Sequence, residues 1–438
     1  MIQNKKKKNP WAWIPTLYFA EGLPYCMVMT VSVMMYKRLG LSNADIAFYT
    51  SWLYLPWIIK PFWSPIVDIF KTKRIWVIAM QFLVGVSLAG VAFTLTIPYW
   101  LQLSLAFFWL MAFSSATHDI AADAFYMDAL DTYHQSMFVG IRSTFYRISM
   151  IIGQGAIIAL AGGLEVYTRN IKTAWGITMI IVAIIFTLLL LYHLYALPKA
   201  KNQKLSHYVP QTNSQNHQSK LKDVSYEFAE AFCSFFRKPG IGIALLFMLL
   251  YRMPEALIVK ISMLFLNDSM ADGGLGLSPS EIGFAQGTLG TIGLLAGGIL
   301  GGVMATRGGL KKWLWPMVAM ITIPDILYVF LSIYQPSSFA LICGCLVVEQ
   351  FGYGFGFTAY MLYMLYFCKD DENNAAHYAI CTGIMALGMM LPGLFAGMLQ
   401  ESVGYPVFFS IVVACCLITV FVAKLVKIDP EYGKKKKS

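Results

Sequence analysis

Twelve ionisable side chains sit inside long apolar stretches of this sequence: Glu21, Lys60, His118, Asp119, Asp123, Arg142, Arg147, Arg252, Glu255, Lys260, Asp325 and Glu349. A charge at the middle of a bilayer costs about 2.5–3.5 kcal/mol even on the lenient insertion scale, so such residues persist where they face a water-filled path or one another. No HExxH, nucleophile elbow or Cys-x-x-Cys accompanies them, so the chemistry they offer is binding and proton handling, with no catalytic residue, metal site or cofactor. Asp119 and Asp123 are four apart and share one helix face, roughly 6–13 Å from its inner end. Arg142 and Arg147 lie roughly 8 and 15 Å from the same side on the next helix. Two readings stand for an Asp119–Arg142/Arg147 cluster: it binds an anionic substrate or switches partners during a cycle, or it is a static bridge between helices.

Glu21 falls about 15 Å into the first apolar run, with Pro24 three residues later to kink the helix and free a carbonyl. Burial favours the neutral form of a carboxylate, which suits a proton-titrating site; the alternative is a glutamate hydrogen-bonded to a neighbouring helix. Arg252, Pro254 and Glu255 repeat the acid-plus-proline arrangement. At i,i+3 spacing Arg252 and Glu255 are also placed to neutralise each other. His118, beside Asp119, is either a proton relay or a hydrogen-bonded core histidine. Lys60 and Lys260 lie nearer the helix ends, where long side chains snorkel.

The elements that must carry these residues follow from composition. The 438 residues are 58% hydrophobic and only 13% charged, against about 45–50% and 25% in soluble domains. Soluble enzymes and disordered chains are excluded. A membrane span needs roughly 20 apolar residues, and the sequence supplies twelve such runs: 11–36, 43–69, 74–97, 98–127, 137–162, 173–197, 241–267, 280–305, 313–334, 337–367, 374–400 and 404–427. The first is too long for a signal-peptide core and reads as a retained span. The expected fold is therefore all-α and integral to the membrane, with twelve transmembrane helices. An N-terminal six-helix bundle covers 1–197, a polar linker 198–240 and a C-terminal six-helix bundle 241–438. The segment Lys220–Lys238 reads as an amphipathic helix on the membrane surface.

The net charge of +10 is a topology signal rather than a nucleic-acid signature. With the N-terminus inside, 24 of the 33 Lys and Arg fall on the cytoplasmic side and 4 outside, which places both termini and the linker in the cytoplasm. The eight cysteines lie mostly in apolar runs and act as small hydrophobes. Trp11, Trp13, Trp57, Trp63, Trp100 and Trp109 fall near span ends, as interfacial belts require. In span 8, Gly293-x-x-x-Gly297 permits close helix packing.

The two halves are repeats. Gly40-Leu-Ser-Asn-Ala-Asp-Ile-Ala-Phe48 matches Gly276-Leu-Ser-Pro-Ser-Glu-Ile-Gly-Phe284 at five of nine positions, 236 residues apart. Each copy opens the second span of its half, with Ser42 or Ser278 as helix cap and Asp45 or Glu281 in the first turn. Lys73-Arg74 answer Lys311-Lys312, and Tyr126-Met127 answer Tyr360-Met361, in the same order. Parallel repeats of this kind resemble the major facilitator superfamily. Ser64-Pro-Ile-Val-Asp68 with Lys71, Lys73 and Arg74 resembles its G-x-x-x-D-R-x-G-R-R loop, in which the acid pairs with basic residues as a gate; in the second half Thr306 replaces the acid and leaves Arg307. Ala116-Thr-His-Asp-Ile-Ala-Ala-Asp-Ala-Phe-Tyr126 is similar to the A-T-Q-D-I-A-x-D-[AG] signature of the AmpG-type muropeptide permeases and the related acetyl-CoA transporters, with His118 in place of Gln. Pro15 to Pro24, Lys60 to Pro65 and His377 to Gly388 support the resemblance.

That resemblance implies a secondary active transporter of the cell inner membrane, a proton symporter that imports anhydro-muropeptides for cell-wall recycling. Its cargo would be N-acetylglucosaminyl-anhydro-N-acetylmuramic acid with or without peptide, a small anionic glycopeptide. Spans 1, 4, 7 and 10 would line the path, which would include Glu349; with it, Glu21, Asp119, Asp123, Arg142, Arg147, Arg252 and Glu255 are the substrate- and proton-binding candidates. Asp68, Lys73, Arg74 and Arg307 are the gating candidates. Asp325 fits poorly, because span 9 is peripheral in the family; beside Pro324 it reads as satisfying freed backbone. The alternatives are another anionic cargo such as acetyl-CoA, or a membrane sensor that binds without flux. One chain contains both halves, so a monomer suffices, in a lipid bilayer and without nucleic acid.

Overall fold

The computed structural model of the chain describes residues 9–69, 72–130, 132–198, 229–230, 232–368 and 374–432, and among them every regular element is helical. Among the described residues, eleven helices are long and apolar enough to cross a membrane: Pro10–Arg38, Lys73–Thr94, Trp100–Ala129, Ile141–Thr168, Ile171–Ala196, Ile241–Asn267, Pro279–Gly308, Leu310–Tyr334, Phe339–Cys368, His377–Val403 and Tyr405–Leu425. The expected span 2 is present as two shorter helices, Asn43–Trp52 and Leu55–Ile69, parted at Leu53–Tyr54. These twelve segments are numbered span 1 to span 12 in chain order. Large apolar side chains such as Phe82, Phe93, Leu188, Ile299 and Leu417 are more than half exposed. In a chain built of such spans, those faces meet lipid tails.

Several spans are not regular α-helices. Span 1 has Pro24 in its interior and widens into a π turn at Met27–Val31; spans 5 and 8 do the same at Ile152–Ile157 and Gly283–Gly290. Span 7 breaks at Tyr251–Arg252, just before Pro254, and span 9 tightens to a 3-10 turn at Ile323–Asp325, around Pro324. A proline removes one backbone donor and clashes with the preceding turn, which accounts for the departures beside Pro24, Pro254 and Pro324.

The sequence repeat is a structural repeat. Gly40 and Gly276 both hold positive φ, +88° and +67°, a conformation that only glycine adopts without strain. Two residues on, Ser42 accepts from the Asp45 amide, and Ser278 forms a full capping box with Glu281. The small-residue face of span 8 also does what its spacing predicts. A Cβ at Gly297 would lie 2.0 Å from the Phe351 carbonyl oxygen of span 10, so glycine sets that approach.

The chain gathers into two compact units. The first comprises Met1–Met29, Ile59–Gly153 and Leu164–Ala229; the second comprises Thr30–Ile58, Gln154–Gly163 and Glu230–Ser438. Spans 1 and 5 therefore pass from one unit to the other beside their π turns, and span 2 does so at Ile58–Ile59. The core of the first unit includes Trp13, Leu17, Tyr18, Phe125, Tyr126 and Phe138; that of the second includes Phe247, Tyr251, Phe355, Tyr360 and Tyr363. Trp13 and Trp57, expected in an interfacial belt, are instead buried, Trp13 edge-on to Phe125 at 5.2 Å.

Candidate functional site

In the first unit the ionic residues of spans 1, 4 and 5 meet, but with a different pairing from the one the spacing suggested. Arg142 bridges Asp123 at 3.1 Å, and the same Asp123 oxygen accepts from Tyr18 OH at 2.9 Å. The guanidinium carbon of Arg142 lies 4.7 Å over the Tyr18 ring and 5.1 Å over the Tyr126 ring, within cation–π range. Depth along a helix fixes which residues share a layer, whereas the rotation of the helix decides which of Asp119 and Asp123 meets the arginine. Glu21 is 8% exposed, and its electrostatic neighbours are Asp123, Asp119, Arg142 and Lys60. Glu21 Oε2 has no hydrogen-bond partner among the described residues.

Arg147 does not join the cluster. It is exposed and forms no ion pair among the described residues. His118 turns the other way from Asp119. Its Nε2 lies 3.0 Å from Gln81 Nε2; Gln81 Oε1 lies 3.0 Å from His193 Nδ1, and His193 Nε2 lies 3.0 Å from Thr16 Oγ1. His118 is thus buried in a hydrogen-bonded chain that ties spans 1, 3, 4 and 6, the arrangement expected of a core histidine.

Arg252 and Glu255 act on each other electrostatically but form no direct ion pair among the described residues. The Arg252 guanidinium hydrogen-bonds the Tyr353 hydroxyl and lies 4.5 Å over Phe357 and 5.8 Å over Tyr360, while neither oxygen of Glu255 has a hydrogen-bond partner. The aromatic faces of span 10 provide a competing seat for the planar cation. Both units thus rest an arginine on the repeat tyrosine, Tyr126 or Tyr360, from non-equivalent spans. Glu349 is buried, accepting from Gln350 Nε2 at 3.0 Å and Tyr328 OH at 3.4 Å. Asp325, expected only to cap freed backbone, instead accepts from the Cys416 thiol at 3.3 Å beside these two acids.

Lys260 does not snorkel. It is 2% exposed, donates to Thr50 Oγ1 at 3.0 Å and lies 5.1 Å over the Tyr54 ring, in the second unit. The same unit holds a polar lock that spacing alone did not reveal. Lys37 pairs with Asp268 at 2.5 Å; Asn43 Nδ2 lies 2.7 Å from Gln400 Oε1 and 2.9 Å from Tyr405 OH; Tyr405 OH donates to Asp268; and the Ala44 amide donates to Glu401 at 2.9 Å. It ties the turn before span 2 to spans 7, 11 and 12.

Of the gating candidates, the side chain of Asp68 lies outside the described residues, as do Lys71 and most of the Lys220–Lys238 segment. Lys73 is buried and donates to the Val67 carbonyl at 3.1 Å; Arg74 donates to the Leu194 carbonyl at 2.6 Å. Both arginine and lysine are thus committed to helix C-terminal carbonyls, favourable places for cations. Arg307 is exposed in a basic groove of about 380 Å³ with Gly308, Lys311, Lys312 and Pro430.

Comparisons with known proteins fit this geometry. The BT1 family profile matches residues 20–336, and the Major Facilitator Superfamily profile matches residues 253–438. A Rickettsia conorii protein carrying the name AmpG 4 is 25% identical over 421 residues, 93% of this chain and 94% of that protein. The anhydromuropeptide permease of Escherichia coli K12 is 25% identical over 419 residues, 92% of this chain and 76% of the permease. In fold, the chain resembles a D-xylose–proton symporter, with a TM-score of 0.68 and 12% identity over 97% of this chain and 98% of the symporter. It also resembles the nucleoside transporter NupG, with a TM-score of 0.64 and 15% identity over 94% and 96%. The relatives and folds are transporters, not enzymes, and the chain is a multi-pass membrane protein of the major facilitator type.

Proposed function

This chain belongs to the BT1 family, and from that premise we propose that it imports anhydro-muropeptides by proton symport across a bacterial inner membrane. The observation that carries the reading is the arginine-and-aromatic group of the first unit. Asp123, Arg142, Tyr18 and Tyr126 hold one another, Glu21 stands beside them, and Arg147 remains exposed and without an ion pair. An anhydro-muropeptide carries carboxylates, which arginine takes as a planar fork, and sugar rings, which stack on aromatic faces. The 25% identity to the Escherichia coli anhydromuropeptide permease over most of both chains supports this cargo.

In this reading Arg147 takes a substrate carboxylate. Arg142 is held in place by Asp123 and Tyr18, and Glu21 takes a proton. Asp119 shapes the local field. Arg252, Glu255 and Glu349 serve the second half of the cycle. Asp68, Lys73, Arg74 and Arg307 serve the cytoplasmic gate. The two six-span halves act as the repeats of a monomeric carrier, with both termini cytoplasmic, a topology that the lysine and arginine distribution supports.

The test is uptake of radiolabelled N-acetylglucosaminyl-anhydro-N-acetylmuramic acid by proteoliposomes, competed with unlabelled disaccharide, disaccharide–tripeptide and acetyl-CoA. Competition by both anhydro-sugars at micromolar concentration and none by acetyl-CoA is expected. Competition by acetyl-CoA alone would replace the cargo while leaving the transporter reading in place.

A further inference from the structure

The second unit contains an acidic group that the transport reading above does not use as a whole. Glu255 sits in the first turn after the break in span 7, and Asp325 ends the 3-10 turn of span 9. With Glu349 of span 10 they each contribute a carboxylate oxygen to a group whose members all lie within 4.8 Å of one another. Their exposures are 2%, 3% and 1%, so all three are removed from water.

The surroundings answer only part of this acidity. Gln350 and Tyr328 donate to one oxygen of Glu349, and Cys416 donates to one oxygen of Asp325. Both oxygens of Glu255 and Oε1 of Glu349 have no hydrogen-bond partner. Gln286 of span 8, which donates to Ser262 beside Tyr328, likewise leaves its own buried oxygen without one. Arg252 is the cation that acts on Glu255 among the described residues, and its guanidinium is engaged by Tyr353 and Phe357.

Three carboxylates this close cannot all carry charge in a dry interior without a positive partner. Buried oxygens without donors are rare in folded proteins, and a bound ion or a functional role is among the physical reasons they persist. We propose that Glu255, Asp325 and Glu349 form the binding site for the small monovalent cation, H⁺ or Na⁺, that drives this carrier. The site rests on the secondary-transport reading and adds to it a second-unit acid, Asp325, that this reading does not assign. Hard oxygen donors disfavour soft transition metals. Calcium needs six to eight oxygens and magnesium a near-ideal octahedron. Among the described residues only three buried oxygens of the group, both of Glu255 and Oε1 of Glu349, lack a donor, fewer than either ion's coordination number.

The full-length protein in detergent provides the first readout, which needs no substrate. Its melting temperature is followed against NaCl, with choline chloride as control, at fixed pH, and then against pH at fixed ionic strength. A saturable rise of several degrees with NaCl, lost in Asp325→Asn and Glu349→Gln, identifies Na⁺. A response to pH alone, lost in the same variants, identifies H⁺. No response to either, or one unchanged in both variants, overturns the proposal. If a variant fails to fold, the wild-type chain is treated with dicyclohexylcarbodiimide and the adducts are mapped by mass spectrometry. Adducts on Glu255, Asp325 or Glu349, suppressed by Na⁺ or by raised pH, are expected; none on any of the three overturns the site. In proteoliposomes, Asp325→Asn should retain exchange of labelled disaccharide at equal concentrations while losing gradient-driven accumulation at least tenfold. Failure of the wild type to exchange would instead fault the cargo reading.

Discussion

Arg142 and Arg147 stand five residues apart on span 5, and their surroundings differ. Arg142 is held by Asp123, Tyr18 and Tyr126, whereas Arg147 is exposed and without an ion pair among the described residues. Arg147→Ala is therefore expected to raise KM for the disaccharide at least tenfold with normal membrane expression, and Arg147→Lys to recover part of the loss, because lysine keeps the charge without the planar fork. Wild-type kinetics in Arg147→Ala would remove it from the site. The side chains of Arg142 and Asp123 are 29% and 44% exposed, so the pair contributes only about 1 kcal/mol to stability. Asp123→Asn should accordingly leave the fold intact and lose most of the uptake, measured against protein content in the membrane. Residue types and depths were readable in the sequence: the acids of span 4 and the arginines of span 5 do occupy neighbouring layers. Their pairing was not, because each residue turns the side chain by about 100° and sequence does not give the rotation of a span. Asp325 escaped for a related reason, since Pro324 beside it offered a sufficient local explanation.

At the scale of the helix, hydropathy locates nearly every span to within a few residues, and the Gly-Leu-Ser repeat predicts both helix caps. What hydropathy does not report is where a span breaks. The interruptions at Tyr251–Arg252 and Ile323–Asp325 carry the buried acids Glu255 and Asp325, and prolines mark both, whereas the π turns of spans 5 and 8 have no proline. Close contact is similarly specific along span 8. A Cβ at Gly297 meets the Phe351 carbonyl at 2.0 Å, and one at Gly302 meets nothing within 4 Å. Gly297→Val should destabilise the protein by about 1–3 kcal/mol and lower its melting temperature, while Gly302→Ala should leave it unchanged; equal effects would contradict this packing. The lock between Asn43 and Gln400 gives a further expectation. Paired cysteines at Asn43 and Gln400 should arrest transport when oxidised and restore it on reduction, if the turn before span 2 has to leave span 11 in each cycle. Full transport in the oxidised protein would show that this lock stays closed.

For the molecule as a whole, composition alone excludes a soluble enzyme, and the BT1 profile over residues 20–336 places the chain in a transporter family. The two compact units cut across the six-span halves, because the end of span 1 and the start of span 2 pack within the second unit through Lys37, Asn43 and Thr50. Such contacts join residues more than two hundred positions apart, and no periodicity announces them. The central claim is that this chain couples entry of an anionic anhydro-sugar to a cation gradient. Its most direct test is accumulation of labelled N-acetylglucosaminyl-anhydro-N-acetylmuramic acid in proteoliposomes under an inward proton gradient, with matched vesicles lacking one. The account predicts concentration above the external level only with the gradient, collapse on adding a protonophore, and no accumulation in Asp123→Asn. Equal uptake with and without the gradient in folded wild-type protein, with Na⁺ unable to substitute, would contradict it.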